Sequence, residues 1–147
     1  MREKVIFEND KIEKMLPQKE PFKFVESITC FDGDSKTLVA RQNFPIDSYF
    51  LKGHFPNNPI IPGVLLIECM AQSALLLLSL LFSKKVNLGY LVKTENFKFF
   101  NVVRPSTNIE INVTLEKQVG SYFYISGVIY NLEEQKKVAK GKIVLFM

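Results

Sequence analysis

Few residues in this sequence could bind a metal ion. Its 147 residues include a single histidine, His54, and two cysteines, Cys30 and Cys69. The cysteines lack the spacing of metal ligands, and one histidine cannot complete a zinc site with them. Cys69 falls in an apolar stretch, where a cysteine usually serves as a small buried side chain. Nothing in the sequence suggests an oxidising compartment. We therefore expect no metal centre.

The sequence also lacks the charge pattern of a nucleic-acid-binding protein. The net charge is +4, and no cluster of Lys and Arg is interleaved with aromatic residues. The densest run of basic residues is EEQKKVAKGK (133–142), and its two glutamates offset part of the charge of its lysines. This run therefore favours a solvated strand and turn over a docking patch. The segment MREKVIFENDKIEKML (1–16) lacks the long apolar region of a signal peptide. We expect a cytoplasmic protein that binds no nucleic acid.

The residues that are present predict an α+β fold in one domain, 1–147. Thirteen Phe and five Tyr, with no Trp, indicate an aromatic-rich and β-rich interior. The predicted elements are a helix at 8–17 capped by Asn9 or Asp10, strands at 22–31 and 36–44, a helix at 63–82, and strands at 87–100, 108–117, 121–131 and 136–147. One long helix cannot cover six strands from both sides. We therefore expect an antiparallel sheet wrapped around that helix.

The long helix is apolar enough to raise the question of a membrane span. Residues 64–82 carry one charge, on Glu68, and they are long enough to cross a bilayer. Gln72, Ser73 and Ser79 add polarity, and a membrane span would leave the strands with no helix to pack on. The sequence therefore predicts a core helix and no membrane span.

The residue types in GHFPNNPIIPGVLLIECMAQ (53–72) point to acid–base chemistry. His54 is a natural base near neutral pH, and Glu68, in apolar surroundings, has a raised pKa and can serve as an acid. Unpaired N–H groups at the start of the helix can hold a developing oxyanion. A base, an acid and an oxyanion site are the parts needed to remove a proton α to a carbonyl and expel a β-hydroxyl.

Spacing alone leaves a structural role open for both residues. A histidine in a proline-rich loop is usually structural or exposed, and a glutamate in a core helix usually has a neutral hydrogen-bonding role. Nothing in the spacing brings His54 and Glu68 together within one chain. A subunit boundary is the alternative place for them to meet.

The same segment closely resembles the signature of the FabZ-type 3-hydroxyacyl-[acyl-carrier-protein] dehydratases, approximately GHFPGxPxxPGVLxxEAxAQ. LPQKEPFKFVESI (16–28) is similar to the family's LPHRYPFLLVDRV segment, and YLVKTENFKF (90–99) is similar to its YFxxIDxxKF segment. The resemblance thus covers nearly the whole chain. It implies a hotdog fold, a long central helix wrapped by a six-stranded antiparallel sheet. It also implies a homodimer, commonly assembled into a hexamer as a trimer of dimers.

The resemblance implies conversion of 3-hydroxyacyl-ACP to trans-2-enoyl-ACP without a cofactor, at sites on the dimer interface. His54 from one subunit would remove the C2 proton, and Glu68 from the other would protonate the departing 3-hydroxyl. The N–H of Gly63 would bind the thioester carbonyl oxygen. The remaining expectations are that Phe55 lines the pocket, that Leu88 and Tyr90 line the acyl tunnel, and that Gln72 orients Glu68.

The chain departs from the family pattern at several positions. Asn57 replaces the glycine of HFPG, Gln18 replaces the usual histidine of LPHR, and Cys69 replaces alanine. VVRPST (102–107) stands where the family has PVxPGD. None of these changes touches His54 or Glu68, so we expect a divergent member whose loop and substrate differ.

Three other functions compete with this prediction. A dehydratase that also isomerises the double bond typically uses Asp as its acid, so Glu68 argues against it. A hotdog thioesterase shares the helix-start oxyanion site but not the HFP…PGVL…E layout. A silent acyl-binding or scaffold subunit would not need both His54 and Glu68. Because the carrier protein is acidic, we also expect a basic entrance, with Lys84, Lys85, Lys98 and Arg104 as candidates.

Overall fold

The computed structural model describes residues 5–147; residues 1–4 of the predicted domain lie outside that range. It contains two helices, α1 (Asn9–Met15) and α2 (Gly63–Leu81). The six strands are β1 (Ser27–Asp32), β2 (Thr37–Asn43), β3 (Tyr90–Phe99), β4 (Asn108–Val119), β5 (Tyr122–Asn131) and β6 (Lys136–Phe146). The predicted order of elements is confirmed throughout.

The strands form one antiparallel sheet in the order β1-β2-β4-β5-β6-β3, and α2 packs against β2, β4, β5 and β6. Strand β4 shows why the sheet faces the helix as it does. Ile109, Ile111, Val113 and Leu115 are buried and alternate with more exposed polar residues. The predicted α+β hotdog architecture is confirmed.

Helix α2 is the core of the fold. By length and composition it could cross a membrane, but 12 of its 19 residues are buried within the sheet. Its carboxyl-terminal two-thirds is almost fully enclosed, whereas Val64 in the first turn is 71% exposed. The expectation of a core helix is confirmed, and its first turn is the part left open.

Several boundaries differ from the prediction by a few residues, and hydrogen bonds account for two of the differences. Strand β1 begins at Ser27 rather than at residue 22, because the backbone groups of Phe22 and Phe24 bond to a side chain of α2 and not to β2. Helix α1 has Glu8 at its N-cap, with no side-chain cap. Asn9 does not cap it because its carboxamide oxygen accepts a hydrogen bond from Lys23.

Strand β3 lies at an edge of the sheet, and none of its residues is buried. Within residues 5–147, its only strand partner is β6. Tyr90, Leu91 and Val92 are 57%, 44% and 49% exposed, so apolar side chains stand free on both faces of the strand. Natural proteins usually protect such an edge, because its unpaired backbone groups can pair with another chain.

Candidate active site

His54 lies on a tight loop that is closed by two sets of backbone hydrogen bonds. Ile60 N–H donates to the His54 carbonyl oxygen at 3.0 Å, and inside that pair Phe55 and Asn58 exchange hydrogen bonds of 3.0 and 2.9 Å. The Phe55 ring stacks on the imidazole with centroids 4.1 Å apart. The loop therefore fixes the position of the imidazole before any ligand binds.

The loop also fixes the tautomer of the neutral imidazole. His54 Nδ1 lies 2.7 Å from the carbonyl oxygen of Ile60. A carbonyl oxygen can only accept, so in the neutral ring Nδ1 carries the hydrogen and Nε2 keeps a lone pair. In this tautomer Nε2 is the atom that can act as a base.

His54 and Gly63 line one cavity of about 300 Å³, together with Ile60, Ile61, Phe99, Phe100, Asn101 and Val102. Gly63 N–H belongs to the first turn of α2, so it has no acceptor within the helix. A Cβ on Gly63 would lie 3.1 Å from Phe99 Cε1, so glycine lets that ring pack against the helix start. The lining of one cavity thus includes both the histidine and the residue that begins the helix.

Glu68 is held by the buried amide of Gln72. Gln72 Nε2 donates to Glu68 Oε2 and to the Phe22 carbonyl oxygen, both at 2.9 Å, and Gln72 Oε1 accepts from Phe24 N–H at 2.7 Å. The amide uses both hydrogens and its oxygen, so its orientation is determined. Glu68 Oε2 accepts this hydrogen bond, which favours Oε1 as the oxygen that carries the proton when the carboxyl is protonated.

Burial raises the pKa of Glu68, and the hydrogen bond from Gln72 opposes that rise only in part. Loss of hydration disfavours the charged carboxylate more than one neutral donor stabilises it. Glu68 is half-buried, so Oε1 is not sealed inside the core. The carboxyl can thus hold its proton at a higher pH than an ordinary glutamate and deliver it outward.

Glu68 is absent from the lining of the His54 cavity within this chain. Glu68 lies five positions after Gly63, which on an α-helix places the two side-chain directions about 140° apart and the residues about 7.5 Å apart along the axis. Glu68 therefore leaves the helix on a different side from Gly63 and the cavity that Gly63 shares with His54.

The other predicted residues lie around these two sites. Phe55 is 48% exposed against the imidazole. Leu88 lines a separate cavity near the end of α2, and Tyr90 opens the edge strand β3. Neither Leu88 nor Tyr90 lines the His54 cavity of its own chain.

Sequence reasoning missed the residues that hold the histidine loop in place. Arg104 Nη1 donates to Asn58 Oδ1 at 2.8 Å, and Ile61 N–H donates to the Val103 carbonyl oxygen at 2.8 Å. Arg104 was predicted as a docking residue, which stays a prediction, and its guanidinium also tethers the loop. The pairs join residues more than 40 positions apart, so no local pattern could have indicated them.

Two positions at which the family pattern has glycine adopt a backbone conformation that glycine enters readily. Asn57 has φ 61° and Ser106 has φ 63°, both in the left-handed region. Ser106 N–H also donates to the Phe44 carbonyl oxygen at 2.8 Å. Asn enters this region more readily than most residues because its short side chain bonds locally.

Asn57→Val should lower the free energy of unfolding by about 1–2 kcal/mol, because a β-branched residue strongly resists the left-handed conformation. Asn57→Gly is the matched control and should leave that free energy nearly unchanged. Urea unfolding of the three proteins measures the difference. Equal stability of Asn57→Val and wild type would mean that the loop does not depend on this backbone angle.

Glu68→Gln should alter how stability depends on pH. The folded pKa of Glu68 is raised above its ordinary value of 4.5, so the folded state holds this proton more tightly than the unfolded chain does. The stabilisation from Glu68 is then complete below pH 4.5 and falls as the pH rises through the folded pKa. Urea unfolding from about pH 4 to about pH 8 should show wild type losing stability relative to Glu68→Gln. A flat difference between the two proteins would contradict this.

The FabA-like domain family matches residues 16–142 of the chain, which include every residue discussed above from Gln18 to Lys142. An uncharacterised thioester dehydrase of Halalkalibacterium halodurans is 41% identical over 134 residues, covering 90% of this chain and 85% of that protein. The 3-hydroxyacyl-[acyl-carrier-protein] dehydratase FabZ of Rhizobium johnstonii is 39% identical over 110 residues, covering 75% and 70%. FabZ of Latilactobacillus sakei is 34% identical over 112 residues, covering 76% and 79%.

Two solved structures extend the comparison to the fold. A chain of the dehydratase heterocomplex ApeI:P from Xenorhabdus doucetiae superimposes with a TM-score of 0.77 at 17% identity, covering 92% of this chain and 90% of that one. A hypothetical thioesterase from Streptococcus pneumoniae gives a TM-score of 0.60 at 18% identity, covering 81% and 87%. At these identities the likeness concerns the fold alone. Taken with the sequence matches, it shows that the chain belongs to the FabA-like domain family, as a FabZ-type dehydratase with a hotdog fold.

Proposed function

We propose that the protein removes water from a 3-hydroxyacyl thioester on acyl carrier protein and yields the trans-2-enoyl thioester, in fatty-acid or specialised acyl-chain biosynthesis. The observation that carries the proposal is the fixed tautomer of His54. His54, whose neutral tautomer leaves a lone pair on Nε2, lines one cavity together with Gly63, the first residue of α2. A base next to an oxyanion site suits removal of a proton α to a thioester carbonyl.

The proposed reaction uses His54, Gly63 and Glu68 in turn. His54 Nε2 takes the C2 proton, and the electrons of the C–H bond move toward the thioester carbonyl, whose oxygen is held by Gly63 N–H. Those electrons then form the C2=C3 bond as the C3–O bond breaks. Glu68 Oε1 gives its proton to the departing hydroxyl, which leaves as water. Exchange with solvent removes the proton from His54 and returns one to Glu68.

We propose further that each site combines His54 of one subunit with Glu68 of the other. The position of Glu68 supports this, because Glu68 does not line the His54 cavity of its own chain and its side chain leaves α2 about 140° away from the direction of Gly63, which does line that cavity. The exposed edge of β3 supports a homodimer. A two-fold antiparallel pairing that uses all ten residues of β3 sets Tyr90 opposite Phe99 of the partner subunit. Phe99 lines the His54 cavity, so this pairing would carry Tyr90 and Leu88 toward the partner's site.

The proposal assigns the acyl tunnel to this junction, with Phe55, Leu88 and Tyr90 as lining residues. Their side chains are apolar or aromatic and are 48–62% exposed in the single chain, as expected for surfaces that a partner and a substrate cover. A cytoplasmic location accords with the proposal, because the apolar helix is buried in the fold.

The reaction can be tested directly. Purified protein, incubated with 3-hydroxyacyl thioesters of several chain lengths, should generate the absorbance of the conjugated enoyl product. His54→Ala should lower kcat by at least about a hundredfold, because general base catalysis is lost. Cys30→Ala, a change at an exposed position, is the control and should retain full activity. Release of free thiol without enoyl product would favour a thioesterase, and no turnover at any chain length would favour a silent acyl-binding subunit.

The shared site can be tested by mixing two inactive variants. His54→Ala and Glu68→Gln should each be inactive alone. If each site takes one residue from each subunit, a mixed dimer keeps one intact site, and random mixing should restore about a quarter of the wild-type activity. Differently tagged copies, unfolded and refolded together, allow mixed dimers to be counted. Mixed dimers without activity would place both residues of a site in one chain.

A further inference from the structure

The outer face of the sheet carries a shallow basin of about 590 Å³ across strands β3 to β6. Its lining holds four lysines and no acid; the other residues are neutral. We call it the lysine basin, and its lysines are Lys98, Lys137, Lys140 and Lys142.

Strand alternation places these side chains away from the core. Lys140 and Lys142 alternate with buried Ala139, Gly141 and Ile143, so they point away from α2 into solvent. The ion pairs found among residues 5–147 join Lys93 to Glu95 and Lys136 to Glu134, and neither pair includes a lysine of the basin. Glu95 on β3 stands directly opposite Lys142 and offsets part of its charge. Lys98, Lys137 and Lys140 have no ion-pair partner within the part of the chain that the structure describes.

The register of the sheet brings two of these charges together. Lys98 on β3 stands directly opposite Lys140 on β6. Like charges directly opposite one another destabilise an antiparallel pair. The arrangement costs stability in the isolated chain, and a bound anionic partner would offset that cost.

The basin borders the proposed active site. Phe100 lines both the lysine basin and the His54 cavity. Lys137 Nζ lies over the Phe100 ring, 5.7 Å from its centroid. A partner held in the basin would thus sit beside the cavity in which the thioester reacts.

We propose that the lysine basin docks the acidic surface of the carrier protein that delivers the acyl chain, an inference that rests on the function proposed above. The carrier is tethered to the thioester, so it must bind within reach of the cavity mouth while the chain is inside. Four lysines spread over two neighbouring strands suit an extended acidic protein surface, whereas one phosphate group would require donors that converge on a point.

Lys84 and Lys85 form a competing basic surface. They line a cavity at the far end of α2, about 28 Å along the helix from Gly63 in the same chain. In the proposed dimer, β3 pairing would bring this end of the fold toward the partner's site. The two surfaces therefore require separate variants.

The test compares two substrates for each variant. One is a 3-hydroxyacyl carrier protein, and the other is the same acyl group on N-acetylcysteamine, which has neither carrier nor phosphate. For Lys140→Glu/Lys142→Glu, the ratio of kcat/KM on the carrier substrate to kcat/KM on the small thioester should fall at least about tenfold. The loss should appear mainly in KM, and added salt should lower the wild-type ratio toward that of the variant.

Lys11→Glu/Lys14→Glu, on the exposed face of α1, makes the same change of charge away from the basin and should leave the ratio unchanged. An unchanged ratio in Lys140→Glu/Lys142→Glu, an equal fall in the α1 control, or a fall confined to Lys84→Glu/Lys85→Glu would each overturn the proposal. If wild type turned over neither substrate, the dehydratase function itself would fail. Titration calorimetry with the carrier protein would then decide docking alone: weaker binding to Lys140→Glu/Lys142→Glu would uphold it, and equal or absent binding would overturn it.

Discussion

The buried amide of Gln72 organises the acidic half of the site. Its three hydrogen bonds join α2 to the segment before β1 and to Glu68. An amide that lost these bonds would leave a buried N–H and a buried carbonyl unpaired, which is costly in a low-dielectric interior. The same side chain therefore binds the backbone of Phe22 and Phe24, so that β1 begins only after them. It also favours Oε1 of Glu68 as the oxygen that carries a proton.

The hotdog architecture explains why one helix can serve two chemical roles. The sheet encloses the later turns of α2 and leaves the first turns partly open. Gly63 and Glu68 both lie in the open part, but the helical period turns them to different sides. A single chain therefore presents a base beside one cavity and an acid beside another surface, which is the arrangement that a two-fold assembly can complete.

Much of the fold could be predicted from the sequence because its signals are local. The alternation of apolar and polar residues in β4 and the long apolar run of α2 are each visible within one short segment, and the structure agrees with both. The start of β1 could not be predicted, since it depends on Gln72, about 50 residues away. The tether between Arg104 and Asn58 and the lysine cluster across β3 and β6 likewise depend on long-range pairing.

The candidate site was partly predictable for a different reason. His54, Gly63 and Glu68 fall in one short motif whose resemblance to a family is specific. The tautomer of His54 required the position of the Ile60 carbonyl, and the proton-bearing oxygen of Glu68 required the amide orientation. Residue types therefore indicated the chemistry, and only the fold indicated which atoms would perform it.

The exposed edge of β3 affects the behaviour of a folded chain that has not yet found its partner. A freshly folded chain presents ten residues of open strand with apolar side chains, a surface that also favours aggregation. In the proposed dimer, the pairing that hides this edge is the same event that completes the catalytic site. Protection from misassembly and the gain of activity would then occur in one step, because a chain that stays monomeric is both inactive and prone to misassembly.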